Sequence, residues 1–468
     1  MSAPDSCDVA VIGAGPAGLA AAALCARAGL VTVLFDEQAA AGGQIYRAVG
    51  ETPLGAGTIL GGDYWRGRGL VEAFAASGAR HVPGATVWSL SRAREIGVSQ
   101  GGAARLVRAA RVILATGAME RPVPLPGWTL PGVMTAGAAQ ILLKSAALVP
   151  SGRTVLAGSG PLLWLLARQY LEAGAEISAI LDTTPRANRR RALRHAPAFA
   201  ASPYFAKGVA LLRAVRRRVR VIGGVTALAA EGADRLEAVR YVTARGAQRM
   251  EADLLLLHQG VVPNANLAMA AGIPHRWDDA QLCFVPVLGA DGATALEGIA
   301  IAGDGGGIAG AEAAAEQGRL AAIAAIRALK PETAAALSGE EAAARRALAR
   351  WRRGRRFLDA LYRPAFARPP GETVVCRCEE VTAREIEAAV AQGCTGPNQL
   401  KAFTRCGMGL CQGRMCGLAV TQLIAALRGV SPGEVGYYRL RPPVKPVTLG
   451  EWASLPAGIA AMKAVARD

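Results

Sequence analysis

Asp8-Val9-Ala10-Val11-Ile12-Gly13-Ala14-Gly15-Pro16-Ala17-Gly18-Leu19 is the stretch that decides the fold. An apolar run of strand length passes at once into a glycine-rich turn and then into the helix-forming segment Leu19 to Ala28. Gly13 permits the turn, Gly15 lets the backbone approach a pyrophosphate, and Gly18 lets helix and strand pack closely. The diphosphate then rests on the helix N-terminus, where free N–H groups favour an anion. A second strand, Val31 to Phe35, ends at Asp36-Glu37, where a carboxylate is expected to accept ribose hydroxyls, Asp36 first. The segment predicts an α/β dinucleotide-binding domain.

Two later segments agree with it. Val112-Ile113-Leu114-Ala115-Thr116-Gly117 and Ile299-Ala300-Ile301-Ala302-Gly303-Asp304 each run from strand into small-residue turn. Asp304 is placed to hydrogen-bond a ribityl chain, and a helix from about Ala309 would aim its positive end at an isoalloxazine carbonyl edge, stabilising an anionic reduced flavin. With Gly42-Gly43-Gln44-Ile45, these pieces resemble the two-dinucleotide-domain flavoproteins of the glutathione and thioredoxin reductase superfamily. The expected FAD-binding residues are Gly13, Gly15, Pro16, Ala17, Gly18, Asp36, Glu37, Gly43, Gln44, Ala115, Thr116, Gly117, Gly303 and Asp304. No cysteine pair follows Gly42-Gly43 and no Cys-x-x-Cys lies in the middle of the chain, so disulfide reduction is not expected.

The pattern recurs at strand Thr154 to Ala157, Gly158-Ser159-Gly160-Pro161-Leu162-Leu163, a helix through Leu171, strand Ala175 to Leu181, and Asp182. A second nucleotide fold is implied, but Leu163 stands where the third glycine belongs. Its side chain should push the helix from the strand and crowd the pyrophosphate. The expectation is that this domain binds a different adenine nucleotide or none, and that electrons do not come from a nicotinamide.

Nine cysteines are unevenly spread: Cys7, Cys25 and Cys283 precede a crowd at Cys376, Cys378, Cys394, Cys406, Cys411 and Cys416. The crowding suggests a metal centre, since four thiolates suffice for a [2Fe-2S] cluster. Zinc is the alternative for four cysteines, although its pairs are usually separated by two to four residues and Cys376-Arg377-Cys378 has one between. Cys-x-Cys, a helix of about Ala383 to Gln392, and Arg405-Cys406-Gly407-Met408-Gly409-Leu410-Cys411-Gln412-Gly413-Arg414-Met415-Cys416 resemble the bacterioferritin-associated-ferredoxin-like (BFD-like) domain. That resemblance implies Cys376, Cys378, Cys411 and Cys416 as ligands. Cys406 stays as the rival ligand, spaced from Cys411 as Cys411 is from Cys416; Cys394 is read as packing.

The expected organisation is an FAD-binding domain in two parts, 1–121 and 251–330, around an inserted NAD-binding-like domain at 122–250. A helical connection and linker (331–371), a small, mostly helical BFD-like [2Fe-2S] domain (372–430) and a tail (431–468) follow. The 468 residues are enough for several cores. The net charge of +17 comes without interleaved aromatics or a nucleic-acid motif, so no nucleic-acid partner is expected. No apolar run approaches the roughly 20 residues of a membrane span, and no secretory leader is read. The expected location is cytoplasmic, with peripheral attachment to the inner membrane face as the variant. His81, His195, His258 and His275 form no acid–base constellation in sequence and are read as structural.

Ala115-Thr116-Gly117-Ala118-Met119-Glu120-Arg121-Pro122, Pro126-Gly127-Trp128 through Gly137 and Arg441-Pro442-Pro443-Val444-Lys445-Pro446 extend a resemblance over nearly the whole chain. The order of parts is similar to the large accessory subunits of octopine and nopaline oxidases, hydrogen cyanide synthase and D-hydroxyproline dehydrogenase complexes. The resemblance implies a flavin-containing partner like D-amino-acid oxidase that oxidises a C–N bond, with a small ferredoxin-like protein as a further partner. It implies FMN at a subunit interface, and passage of electrons through this chain to a quinone or dye acceptor. The competing readings are a self-sufficient NAD(P)H-dependent reductase and an iron–sulfur module that docks on an iron-storage protein.

Overall fold

Val9, Ala10 and Val11 have no exposed surface, because one face of their strand is covered by helices carrying Leu19 and Ile323 and the other by the strands carrying Val87, Leu90, Ile96 and Val98. The computed structural model describes residues 4–365 and 367–456. Strand β1 (Ser6–Ile12) leads through the glycine turn into helix α1 (Pro16–Arg27) and strand β2 (Thr32–Asp36). Val9 lies opposite Thr32 and Ile12 opposite Phe35 in parallel register. With β3 (Arg80–Pro83), β4 (Thr86–Leu90), β5 (Glu95–Gln100) and β6 (Ala103–Leu114), the sheet order is β3-β2-β1-β6-β5-β4. β6 serves two structures along its length. Its first half pairs antiparallel with β5, and its end runs parallel to β1, which delivers the turn at 115–117 beside Gly13.

A two-stranded ribbon, β7 (Ala118–Glu120) with a later partner, leads into the second sheet. That sheet is built from β8 (Val133–Thr135), helix α2 (Ala136–Ala146), β9 (Thr154–Gly158), helix α3 (Pro161–Glu172), β10 (Ala179–Asp182) and β11 (Val221–Gly223). β12 (Ala227–Glu231), β13 (Ala238–Thr243) and β14 (Gly246–Glu251) form an antiparallel sheet of their own, after which β15 (Leu254–His258) returns to pair with β9. The inserted unit therefore runs to 258, past the expected boundary at 250. The apolar run Leu254–Leu257 looks the same whichever sheet it joins, and its pairing with Thr154 to Ala157 on one side and Val133 to Thr135 on the other assigns it.

β16 (Val261–Pro263) closes the ribbon with β7, and β17 (His275–Asp278) pairs with β18 (Cys283–Pro286). β19 (Ile299–Ile301) adds to β6, and helix α4 (Ala311–Leu329) then crosses α1. The crossing is close: a Cβ on Gly318 would lie 2.1 Å from the Ala17 carbonyl oxygen.

Helices Ser338–Arg352 and Arg355–Leu361 connect to the C-terminal unit. This has a short pair, β20 (Val374–Cys376) and β21 (Val381–Thr382), and helices α5 (Ala383–Ala391), α6 (Pro397–Thr404) and α7 (Gly417–Arg428) around an apolar core that includes Cys394. A capping box between Thr382 and Glu385 starts α5. Trp128 Nε1 donates to the Val374 carbonyl at 2.7 Å, and Val262, Cys283 and Val285 pack on Leu418, so this unit is seated on both preceding ones. Residues 457–468 of the expected tail lie outside the described residues. Among the described residues no helix is long and apolar enough to cross a membrane.

Candidate redox sites

Four sequence-distant turns meet at the N-terminus of α1. A Cβ on Gly13 would lie 2.4 Å from the Ala115 carbonyl oxygen, one on Gly18 1.8 Å from the Gly13 carbonyl oxygen, and one on Gly303 2.8 Å from the Ala17 side chain. Gly43 packs on Gly15, and Gly42 N donates to the Ala14 carbonyl at 2.8 Å. By contrast, the nearest atom to a Cβ on Gly15 would be 3.9 Å away, so the backbone there faces open space of the kind a diphosphate needs. Pro16 begins α1 with no donor to waste.

The carboxylates divide their roles. Asp36 accepts the Ala14 N–H at 2.5 Å and the Gln38 N–H at 2.7 Å, which fixes its headgroup beside the loop. Glu37 turns away to pair with Lys445 at 2.7 Å. Asp304 Oδ1 accepts from the N–H groups of Ala309 and Gly310 at 2.8 and 2.9 Å, leaving Oδ2 for another donor. α4 begins two residues later than expected because Gly310, at φ 98°, stands outside the helical region as its N-cap. Thr116 Oγ1 donates to the Asn264 carbonyl at 3.0 Å, and the Gln44 side chain is exposed while its carbonyl faces inward to Lys144.

Two buried cations behind this cradle carry no signature in sequence. Arg47 is buried beside Asp36 with its Nε lacking a partner among the described residues, an orphan that a phosphate or ribose oxygen would satisfy. Together with the open face of Gly15, this donor set fits FAD. Lys144 is fully buried, donating to the carbonyls of Gln44 and Ile45 and to Gln140 Oε1. Burial, then the neighbouring Arg47, push its ammonium down to about 7 from 10.5. Between those values the unfolded chain holds the extra proton, so this residue makes stability rise with pH above 7. Thermal unfolding at pH 7 and 9 should show wild type gaining ~2 kcal/mol more than Lys144→Met across that interval.

In the middle unit the obstruction expected from Leu163 is absent. Leu163 points into the core with Leu156, Leu166 and Leu256, so its side chain does not crowd the loop. His258 at the end of β15 packs against the loop instead. A Cβ on Gly160 would lie 2.6 Å from its Nε2, whereas the equivalent Gly15 is open. His258 Nδ1 lies 2.6 Å from Glu120 Oε1, and Glu120 Oε2 accepts the Gly137 N–H at 2.6 Å. This buried pair joins residues 138 positions apart, beyond what a reading of isolated histidines reaches. Further out, a cleft of about 460 Å³ is lined by Asp182, Arg189, Arg216 and Arg220.

Five thiols gather in the C-terminal unit. Cys376, Cys406 and Cys416 are buried with their sulfurs all within 4.8 Å of one another, the one such group among the described residues. Cys378 is exposed and hydrogen-bonded with Cys411 beside them. Cys406 thus sits inside the cluster, next to two of the four expected ligands. The thiols of Cys406 and Cys416, then the N–H groups of Gly407 and Glu379, hold Cys376 well below the usual thiol range. A compact set of thiols with N–H groups aimed at sulfur suits an iron–sulfur centre. Cys394 is apart, its Sγ donating to the Gly396 carbonyl at 3.4 Å.

A short path joins the two candidate sites. Thr116 and Gly117, beside the glycine cradle, bond to Asn264 through Thr116 Oγ1 and the Asn264 N–H; two residues on, Asn266 Nδ2 donates to the Gln412 carbonyl at 3.2 Å, inside the thiol loop.

Comparison with known proteins agrees with this division. Residues 7–318 match the pyridine nucleotide-disulphide oxidoreductase family, and residues 371–455 match the sarcosine oxidase A3 domain. The L-proline dehydrogenase structure from P. horikoshii shares the fold, with a TM-score of 0.70 at 20% identity over 95% of this chain and 79% of that one. The HcnB component of the hydrogen cyanide synthase of Pseudomonas aeruginosa is 33% identical over 95% of this chain and 98% of its own length. The opine oxidase A-type subunit of Agrobacterium tumefaciens (strain Ach5) is 50% identical over 98% of this chain and 94% of its own length. With its flavoprotein fold and its C-terminal thiol domain, the chain belongs to the family of opine oxidase A-type subunits, oxidoreductase components of heteromeric enzymes.

Proposed function

We propose that this chain is the electron-transfer subunit of an opine, amino-acid or related amine dehydrogenase, holding FAD in the cradle at Gly13–Gly18 and a [2Fe-2S] centre at Cys376, Cys378, Cys411 and Cys416. The observation that supports the reading is the run of contacts Thr116–Asn264 and Asn266–Gln412, which leads from the glycine cradle to the thiol loop. A flavin exchanges two electrons and such a cluster one, so a chain holding both turns a hydride equivalent into single-electron steps.

The chain's own residues supply binding and orientation. Gly15 and the N-terminus of α1 receive the diphosphate, Asp36 the ribose, and Arg47 the neighbouring oxygen acceptors. Asp304 offers Oδ2 to the ribityl chain while α4 directs its positive end toward the isoalloxazine. Gly407 and Glu379 supply N–H groups at Cys376. No side chain in the cradle is needed as a general base, because C–N oxidation is assigned to a partner subunit that carries its own flavin and resembles D-amino-acid oxidase. A small ferredoxin-like subunit, FMN at the subunit interface and a quinone-type acceptor complete the proposed complex. The arginine-lined cleft at Asp182 is the place proposed for an adenine nucleotide, which must bind without using the loop at Gly160 that His258 packs against.

Anaerobic rapid mixing tests this directly. NADH or NADPH should leave the flavin absorbance of the purified chain unchanged over seconds, whereas an opine plus the partner subunit should bleach it. Rapid bleaching by NADPH alone would establish the self-sufficient reductase instead.

A further inference from the structure

Tyr438 lies beyond the last cysteine, in a stretch to which nothing above gives a role. Its side chain is 3% exposed, yet its hydroxyl meets no oxygen or nitrogen partner among the described residues. It donates to Cys406 Sγ at 3.4 Å and lies 3.8 Å from Cys416 Sγ. The ring is held for this contact from several sides. A Cβ on Gly407 would be 2.4 Å from it and one on Gly413 2.7 Å, so both loop glycines leave the space the phenol fills. The Lys401 ammonium stands 4.7 Å from the ring centroid. Tyr437, whose hydroxyl donates to the Gly413 carbonyl at 3.4 Å, packs edge-on against Tyr438 and against Phe284 of β18.

We propose that Tyr438 is a positioning residue of the thiol centre, its hydroxyl a fixed hydrogen-bond donor to ligand sulfur that raises the reduction potential. The proposal rests on the iron–sulfur reading above. Where Cys406 is not a ligand, the single hydroxyl proton turns to Cys416 Sγ, a member of the proposed ligand set 3.8 Å away, in place of Cys406 Sγ. Reduction adds negative charge that the ligand sulfurs share, so a donor aimed at them favours the reduced state.

Tyr438→Phe keeps the ring and its packing and removes only the donor. In an anaerobic redox titration followed by the EPR signal of the reduced centre, the ratio of reduced to oxidised centre at fixed poise should fall about tenfold, ~59 mV for one electron. Iron content should be unchanged. Uniform replacement of tyrosine by 3-fluorotyrosine, a stronger donor of nearly the same size, should move the midpoint the opposite way, and it tests the idea even where Tyr438→Phe does not fold. A midpoint that stays in place under the substitutions that fold overturns the role of Tyr438. Absence of any iron-dependent EPR signal in the wild-type chain would instead remove the centre on which the proposal stands.

Discussion

Cys376→Ala should give a yellow protein without iron. Cys376 closes β20 in the buried core, within 4.8 Å of two other sulfurs, and it is the one to which Cys406, Cys416 and two N–H groups all direct hydrogen bonds. Removing it takes away the sulfur on which two thiols and two N–H groups converge, contacts that favour the thiolate form in which a thiol binds metal. Iron and acid-labile sulfide should drop below about a tenth of wild type, since the remaining thiols lose their anchor. FAD should stay, because the neighbours that shape the cradle at Gly13–Gly18 are Asp36, Gly43, Ala115 and Gly303, none of them in this domain. Parallel variants decide the ligand set: Cys411→Ala should lose iron like Cys376→Ala, while Cys406→Ala and Cys394→Ala should keep it. Retention of iron in Cys411→Ala with loss in Cys406→Ala would transfer the ligand role to the buried trio.

Gly18→Val should produce the reverse phenotype, a chain that keeps iron and loses flavin. A Cβ at this position would sit 1.8 Å from the Gly13 carbonyl oxygen and 3.3 Å from the Ala115 Cβ, and neither the backbone nor a side chain one carbon long can swing away. The helix must shift from the strand, which moves the N–H groups that meet the diphosphate and costs at least ~1–3 kcal/mol in overpacking. Flavin released by acid from the purified variant should fall more than about tenfold relative to wild type, the equivalent of ~1.4 kcal/mol or more in binding. Leu163→Gly, at the matching position of the middle unit, should leave flavin content unaltered.

These two variants fall on residues that are legible from sequence alone, because each belongs to a local pattern. Gly13, Gly15 and Gly18 follow a strand and open a helix, and the cysteines are crowded in one short segment. Periodicity and spacing carry that information without knowledge of the fold. The remainder depends on contacts between distant parts of the chain. β15 finds its sheet through its partners β9 and β8. The residue packed against the second glycine loop is His258, approached from another strand, and the adjacent Leu163, the obstacle that the motif suggests, is an ordinary core side chain. The family pattern leaves Cys406 out of the ligand set, although the turn after α6 brings it against Cys376 and Cys416. Arg47, Lys144 and Tyr438 sit in no motif at all; their significance comes from burial beside groups that lie elsewhere in the chain.

The central claim, that one polypeptide carries a flavin and an iron–sulfur centre, meets its most direct test in the composition of the purified chain. Released flavin, iron, zinc and acid-labile sulfide should be measured on one sample prepared without oxygen. The account predicts one FAD, two irons and two sulfides per chain, with zinc absent, as a [2Fe-2S] centre requires. A colourless preparation with one zinc per chain at the cysteines would contradict it.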